Sequence, residues 1–252
     1  MIKLNNLVVE MQTQNECWKD GRMLPSVEGI LVHATATPGV NARTFSKRWN
    51  RPGIEKAVHA FIDDIEIIQN YPWDKRTWHS GYNPNTGKRA NDTHIGFEIC
   101  EPPGHTYNGG QMVNYNPIKY ASYFNMAYNN AINFCAYICQ MFNLDPLKPG
   151  VIIDHTEGYK LGVASNHSDV MHWFPYHGKN MDIFRKDVAD LLEKEKKETN
   201  DNTPDNYAKE AIDWAVANNV LKGDLSGNYM LHSNITRQDA IVFMKRVYDL
   251  MK

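Results

Sequence analysis

The sequence predicts an α/β fold: a mixed central β-sheet flanked by helices, followed by a small C-terminal α-helical module. Three observations predict it. Short apolar runs at residues 29–35 (GILVHAT), 95–99 (IGFEI) and 151–155 (VIIDH) have the length and bounding residues of buried strands. Residues 120–142 carry Phe124, Ala127, Tyr128, Ala131, Phe134, Cys135, Ile138, Met141 and Phe142 three and four apart, the spacing of a core helix. Composition then changes abruptly after residue 193.

Taken in order, residues 1–24 show no clear repeat, and 5–11 are expected to form a short helix or an arm. The strand ending on His33 follows, then a helix over 44–50. Residues 58–62 and 65–68 read as a hairpin with Asp63 and Asp64 at its turn. A loop rich in Gly, Asn and Pro covers 80–93. In the strand 95–99, alternation places Gly96 and Glu98 on one face. A second loop spans 103–116, before the long helix. After the strand ending on His155 an irregular loop runs to 179. A helix over 181–193 turns Ile183, Phe184, Val188, Leu191 and Leu192 inward. The first domain is therefore drawn as 1–193. Residues 194–206, within EKEKKETNDNTPDN, have no aromatic or β-branched aliphatic residue and read as a linker. The module at 207–252 holds two amphipathic helices around the turn-rich 222–229, with Thr236 as an N-cap and Asp239 three residues on.

The chain has 252 residues, 42% hydrophobic and 22% charged, with a formal net charge of -2. That balance gives no basic patch for nucleic acid. Charged and polar residues interrupt every apolar stretch before it reaches bilayer length, so no membrane partner is expected. The first residues lack the apolar core of a secretory signal, so synthesis in a cytoplasm without export by that route is expected. Cys17, Cys100, Cys135 and Cys139 form no CxxC pair, and Cys135 and Cys139 share a helix face as two buried thiols.

The chemistry concentrates in a few places. His33 and His155 each end an apolar run, at the strand ends where sites on sheet proteins gather. The segment Asn166-His-Ser-Asp-Val-Met-His-Trp-Phe174 sets two histidines, one carboxylate and two aromatics in nine positions. Glu98 sits mid-strand between Phe97 and Ile99, where an unpaired buried carboxylate costs several kcal/mol (about 2–7 for polar groups generally). It is therefore paired, exposed, or functional with a raised pKa. These are the ingredients of a metal-assisted hydrolase.

Together these residues resemble the zinc-dependent N-acetylmuramoyl-L-alanine amidases, a family that includes peptidoglycan recognition proteins and phage endolysins. The resemblance covers residues 28–192. It rests on four ordered segments: GILVHAT; VHAFIDD with IEIIQNYP; TWHSG with NDTHIGFEIC; and IIDH with SNHSDVMHWF. It implies a Zn2+ ion on His33, His155 and Asp169, with Glu98 as catalytic carboxylate. His167 stands where many members carry a basic residue two positions before the third ligand; it is the expected oxyanion stabiliser, and the alternative third ligand. His59, Trp78 and His79 are candidates for lining the substrate groove. The implied substrate is peptidoglycan, cut at the amide joining muramic acid to L-alanine. With no signal, the chain fits a phage or prophage endolysin that reaches the wall once the membrane opens. Residues 204–252 resemble a single S-layer-homology repeat, matching YAKEAIDWA, VLKGD and ITRQD. That resemblance implies a secondary cell-wall polymer as partner; the plainer reading is a helical module that only stabilises or forms a homodimer. Val58 departs from the family, some members of which have Tyr there.

Overall fold

The structure is a computed structural model that describes residues 2–199, 202–224 and 227–251. Residues 200 and 201 of the predicted linker, and 225 and 226 of the predicted turn, lie outside the described residues. The chain divides into two compact units, Ile2–Leu192 and Glu193–Lys252, the second also counting Met1.

The first unit is a mixed six-stranded sheet with helices on both faces. Its strands are β1 (Leu7–Val9), β2 (Gly29–Ala34), β3 (Ala60–Ile62), β4 (Ile67–Gln69), β5 (His94–Ile99) and, after the hairpin strands below, β8 (Ile152–Asp154). Their spatial order is β1-β4-β3-β5-β2-β8. Only β3 and β4 pair antiparallel; the other neighbours are parallel. The parallel centre explains why β2 is buried along its whole length and reads as an unbroken apolar run.

Strand alternation sorts the two faces. Ile30, Val32, Ala34, Ile95, Phe97 and Ile99 join the main core with helix α3 (Ala121–Phe142) and the first part of α5 (Met181–Thr199). The opposite face carries Leu31, His33, Gly96 and Glu98, because the β2–β5 register pairs Leu31 with Gly96 and His33 with Glu98. Helix α2 (Ala42–Trp49) covers the β3–β4 end of that face through Ala42, Phe45, Phe61 and Ile68. Its Asn41 side chain caps Thr44 N–H, and Asp63 accepts from Ala42 N–H at 2.9 Å. Asp63 also accepts from Ile65 and Glu66 N–H, which closes the β3–β4 turn.

Four sequence expectations need correction. Residues 5–11 hold neither a helix nor a free arm: Leu-Val-Val, apolar and largely β-branched, completes the open edge of β4 as β1. The loop 103–116 contains a hairpin, β6 (Thr106–Asn108) and β7 (Gln111–Val113), turned by Gly109 and Gly110 at φ +56° and +82°. The loop after β8 begins with a short helix, α4 (His155–Lys160), capped reciprocally by Asp154 and Glu157, so His155 is its first residue rather than the strand's last. Helix α5 continues through Thr199 into the predicted linker, since the Glu and Lys that exclude a core are also good helix formers. A short helix α1 (Glu16–Asp20) lies between β1 and β2. All four cysteines are free and buried, Cys135 and Cys139 as expected.

The second unit holds α6 (Lys209–Ala217) and α7 (Arg237–Leu250). Thr236 accepts from Asp239 N–H as the predicted N-cap. Val220 is buried and its carbonyl accepts from Arg246 Nη1 at 2.7 Å. Among the described residues no helix is long and apolar enough to cross a membrane.

Candidate metal centre and its two cavities

Three elements deliver the metal-type donors. His33 comes from the end of β2, His155 from the start of α4, and Asp169 from the loop after α4. One ligand atom from each lies within 4.8 Å of the others. The loop is held in place because Asp169 carbonyl accepts from His155 N–H at 3.3 Å.

The surroundings select which nitrogens face the centre. His155 Nδ1–H donates to Ser165 carbonyl at 2.9 Å, leaving Nε2 as the free donor atom. His79 lies flat over Gly96, where an added Cβ would sit 2.4 Å from the imidazole. Its Nε2–H donates to His94 carbonyl at 3.3 Å, and its Nδ1 accepts from His33 Nε2–H at 3.0 Å. His33 Nδ1 then faces Asp169 Oδ2 at 3.2 Å. Backbone carbonyls and a further imidazole thus set the tautomer and aim of the candidate imidazole donors, as outer partners do around metal ligands.

Electrostatics agree. Burial, with His33 beside it, holds His155 down at about 4, so its imidazole is neutral at pH 7. Burial and the neighbouring His33 and His59 hold His79 well below the ordinary histidine range, which keeps it an acceptor. Burial alone would raise Asp169, but the hydrogen bond and charge of His33, with His155 and His172 nearby, hold it at about 2.

Glu98 stands beside His33 on the adjacent strand, roughly one 4.8 Å strand spacing away. Burial pushes its carboxyl well above the usual range, and the charges of Asp169 and Glu101 push it the same way. Its Oε2 is buried with no partner. It looks into a cavity of about 170 Å³ walled by Phe45, Trp49, Lys56, Trp78 and His79. A second cavity, about 420 Å³, opens past Asp169 and is lined by Tyr107, Thr156, Asn166, His167 and His172 among others.

The structure thus brings together His33, His155, Asp169, Glu98, His79 and Trp78. His167 is exposed at the second cavity, its Nδ1 3.5 Å from Ser165 Oγ, and is outside the three-donor group. His59 is a correction. It is fully buried, its Nδ1 accepts from Gly96 N–H, its Nε2–H donates to Lys75 carbonyl, and burial holds it at about 4. It braces the strand under His79 and cannot line a groove. His79 does line the first cavity, but its contacts go to His33. Sequence reasoning missed Glu101, a fully buried carboxylate met by four donors. The one signal was a second acid three positions after Glu98, just beyond the strand.

Fold and centre together define an α/β protein with a His-His-Asp cluster that could hold a metal ion. The model for the family of N-acetylmuramoyl-L-alanine amidases matches residues 23–175, and the chain belongs to that family. Over 74 residues it is 35% identical to the N-acetylmuramoyl-L-alanine amidase CwlA of Bacillus subtilis (strain 168). That match spans 29% of this chain and only 26% of CwlA. The fold is similar to that of the Staphylococcus aureus hydrolase AmiA, solved in complex with its ligand. The TM-score is 0.56 at 21% identity, over 75% of this chain and 84% of that one. The PlyG catalytic domain is similar with a TM-score of 0.50 at 18% identity, over 74% and 94% of the two chains.

Proposed function

We propose that the protein hydrolyses peptidoglycan at the amide between N-acetylmuramic acid and L-alanine, with a zinc ion held by His33 Nδ1, His155 Nε2 and Asp169. The observation that carries the reading is the convergence of these three donors beside a buried carboxylate, Glu98, that has an unpartnered oxygen. Two imidazoles and one carboxylate match a catalytic zinc set, which leaves a position for water or substrate. When bound, such an ion lowers the pKa of water towards about 7 and polarises the scissile carbonyl.

The chain's own residues do the rest. Glu98, whose carboxyl burial raises above the usual range, takes the proton of the attacking water and returns one to the leaving alanine nitrogen. His167, at the mouth of the second cavity, donates towards the carbonyl oxygen as negative charge develops there. Trp49 and Trp78 offer flat apolar walls beside Glu98, suited to the faces of a sugar ring. His79 keeps His33 aimed. The family match and the likeness to CwlA support the bond assigned.

The experiment is digestion of purified walls. Appearance of new N-terminal alanine supports the reading; release of reducing sugar without it overturns the reading. We further assign the role of a phage or prophage endolysin, made in the host cytoplasm and acting after membrane opening. The C-terminal module is assigned wall binding in the manner of an S-layer-homology repeat. Residues 2–192 alone should cleave a soluble muropeptide at the rate of the full chain while losing binding to whole walls. Equal wall binding by both would remove that role from the module.

A further inference from the structure

We propose that Glu101 is a positioning residue: a buried carboxylate that ties the Asp169 arm of the metal centre to the end of the sheet. The inference rests on the metal-site reading above.

Glu101 follows β5 and is 1% exposed. Its donors come from three separate segments. Ala36 N–H, just past β2 and His33, donates to Oε1 at 3.2 Å. His105 Nε2–H donates to Oε2 at 3.1 Å, and the Tyr107 hydroxyl, on β6, reaches the carboxylate at 2.8 Å. His172 Nε2–H donates to Oε1 at 2.8 Å. His172 is the link to the metal centre. It lies three residues after Asp169, and its N–H donates to Ser168 carbonyl, forming the turn that presents Asp169. Its side chain is 5% exposed, so the turn is anchored from inside.

Such an arrangement has one reason to be ionic. Four donors converge on one buried point, and only a carboxylate offers acceptors in enough directions. A neutral amide would face donors with its own N–H2. Burial raises the Glu101 carboxyl, yet the hydrogen bonds of His105 and His172 outweigh this and hold it below the usual range. No ligand atom of the three-donor group touches Glu101, so it acts only through His172 and the turn. Tyr107 and His172 also wall the second cavity, so the same carboxylate sets that surface.

The test uses the full chain with Glu101→Gln. Two readouts are independent of activity. In metal-free protein, amides of residues 166–172 should exchange with solvent at least about 10-fold faster. Zinc affinity, by chelator competition, should fall about 10-fold, the low end for outer-layer partners of metal ligands. His172→Leu should do the same, while His172→Gln, which keeps a donor for Glu101, should recover most of the affinity. Exchange and affinity both within twofold of the parent in Glu101→Gln overturn the proposal. If that variant does not fold, equal affinity in His172→Leu and His172→Gln overturns it instead. A parent chain that takes up no zinc defeats the metal reading, and the exchange data then still judge Glu101.

Discussion

Glu98→Gln should make the protein less active and more stable at once. The side chain is nearly isosteric, so packing against Lys56, Trp78 and His79 is kept. Activity on a defined muropeptide should fall about 100- to 10,000-fold, the usual contribution of a positioned acid–base group. Stability should move the other way. Glu98 Oε2 is buried without a partner. Leaving such a group unsatisfied costs about 1–3 kcal/mol. The penalty applies to the ionised form, because burial raises the Glu98 carboxyl above its ordinary 4.5. Below pH 4.5 the group is protonated in folded and unfolded chains alike, and parent and variant should melt together. As pH rises, the unfolded chain loses its proton first, so the parent loses stability until its folded pKa is passed. The variant has no proton to lose. In metal-free protein at pH 8 it should therefore melt higher, by roughly 2–4 °C per kcal/mol for a domain of this size. Calorimetry from pH 4 to pH 8 reads the divergence. A variant that melts with the parent across that range would refute the buried, unpaired carboxylate, and unchanged muropeptide turnover would remove Glu98 from the chemistry.

Gly96→Ala should damage the centre from beneath. The new Cβ would lie 2.4 Å from His79, so the imidazole must lift away from His33. Zinc affinity should fall about 10-fold, and an unchanged affinity would show that His79 does not aim His33. His59→Leu should cost at least about 3 kcal/mol, since Gly96 N–H, Lys75 carbonyl and the Thr77 hydroxyl all lose partners. Its melting point should drop by roughly 6–12 °C; a drop under 2 °C would contradict a bracing role. Acid should destabilise the chain between pH 6.5 and about 4. His59 and His155 are held neutral at about 4 in the fold, so the unfolded chain takes up protons first as pH falls. Bound zinc should leave only as pH falls towards about 4, where protons begin to compete for His155 Nε2. Asp169, held at about 2, works in the same sense but only below 3.8, so it adds nothing in that window. A flat melting point from pH 7 to pH 4 would overturn that assignment.

Much of the site was legible because strand chemistry is local. His33 and His155 stand out at the ends of apolar runs, and Glu98 stands out as an acid within one. Period-two alternation correctly put Gly96 and Glu98 together, since it depends only on the pleat. His59 misled for the same reason. A histidine on a strand looks alike whether it faces a groove or a carbonyl, and its full burial depends on Thr77 and Lys75, distant in sequence. The helix α4 was missed because its cap, Asp154 with Glu157, begins directly on the last strand residue. The β6–β7 hairpin was missed although its Gly-Gly turn was visible, because three-residue strands carry too little pattern.

By itself the sequence determined the layers of this protein: which runs form strands, which helix fills the core, where the composition breaks, and which family the ordered motifs resemble. Only the tertiary structure decided how the donors are aimed. That His33 presents Nδ1, that His79 rather than a substrate holds its other nitrogen, and that Glu101 gathers donors from three segments all follow from side chains meeting across the sheet. Strand and helix patterns arise from neighbours a few residues apart. Tautomers, raised carboxyls and shared acceptors arise from groups brought within about 3 Å by folding, and nothing in a linear spacing records that distance.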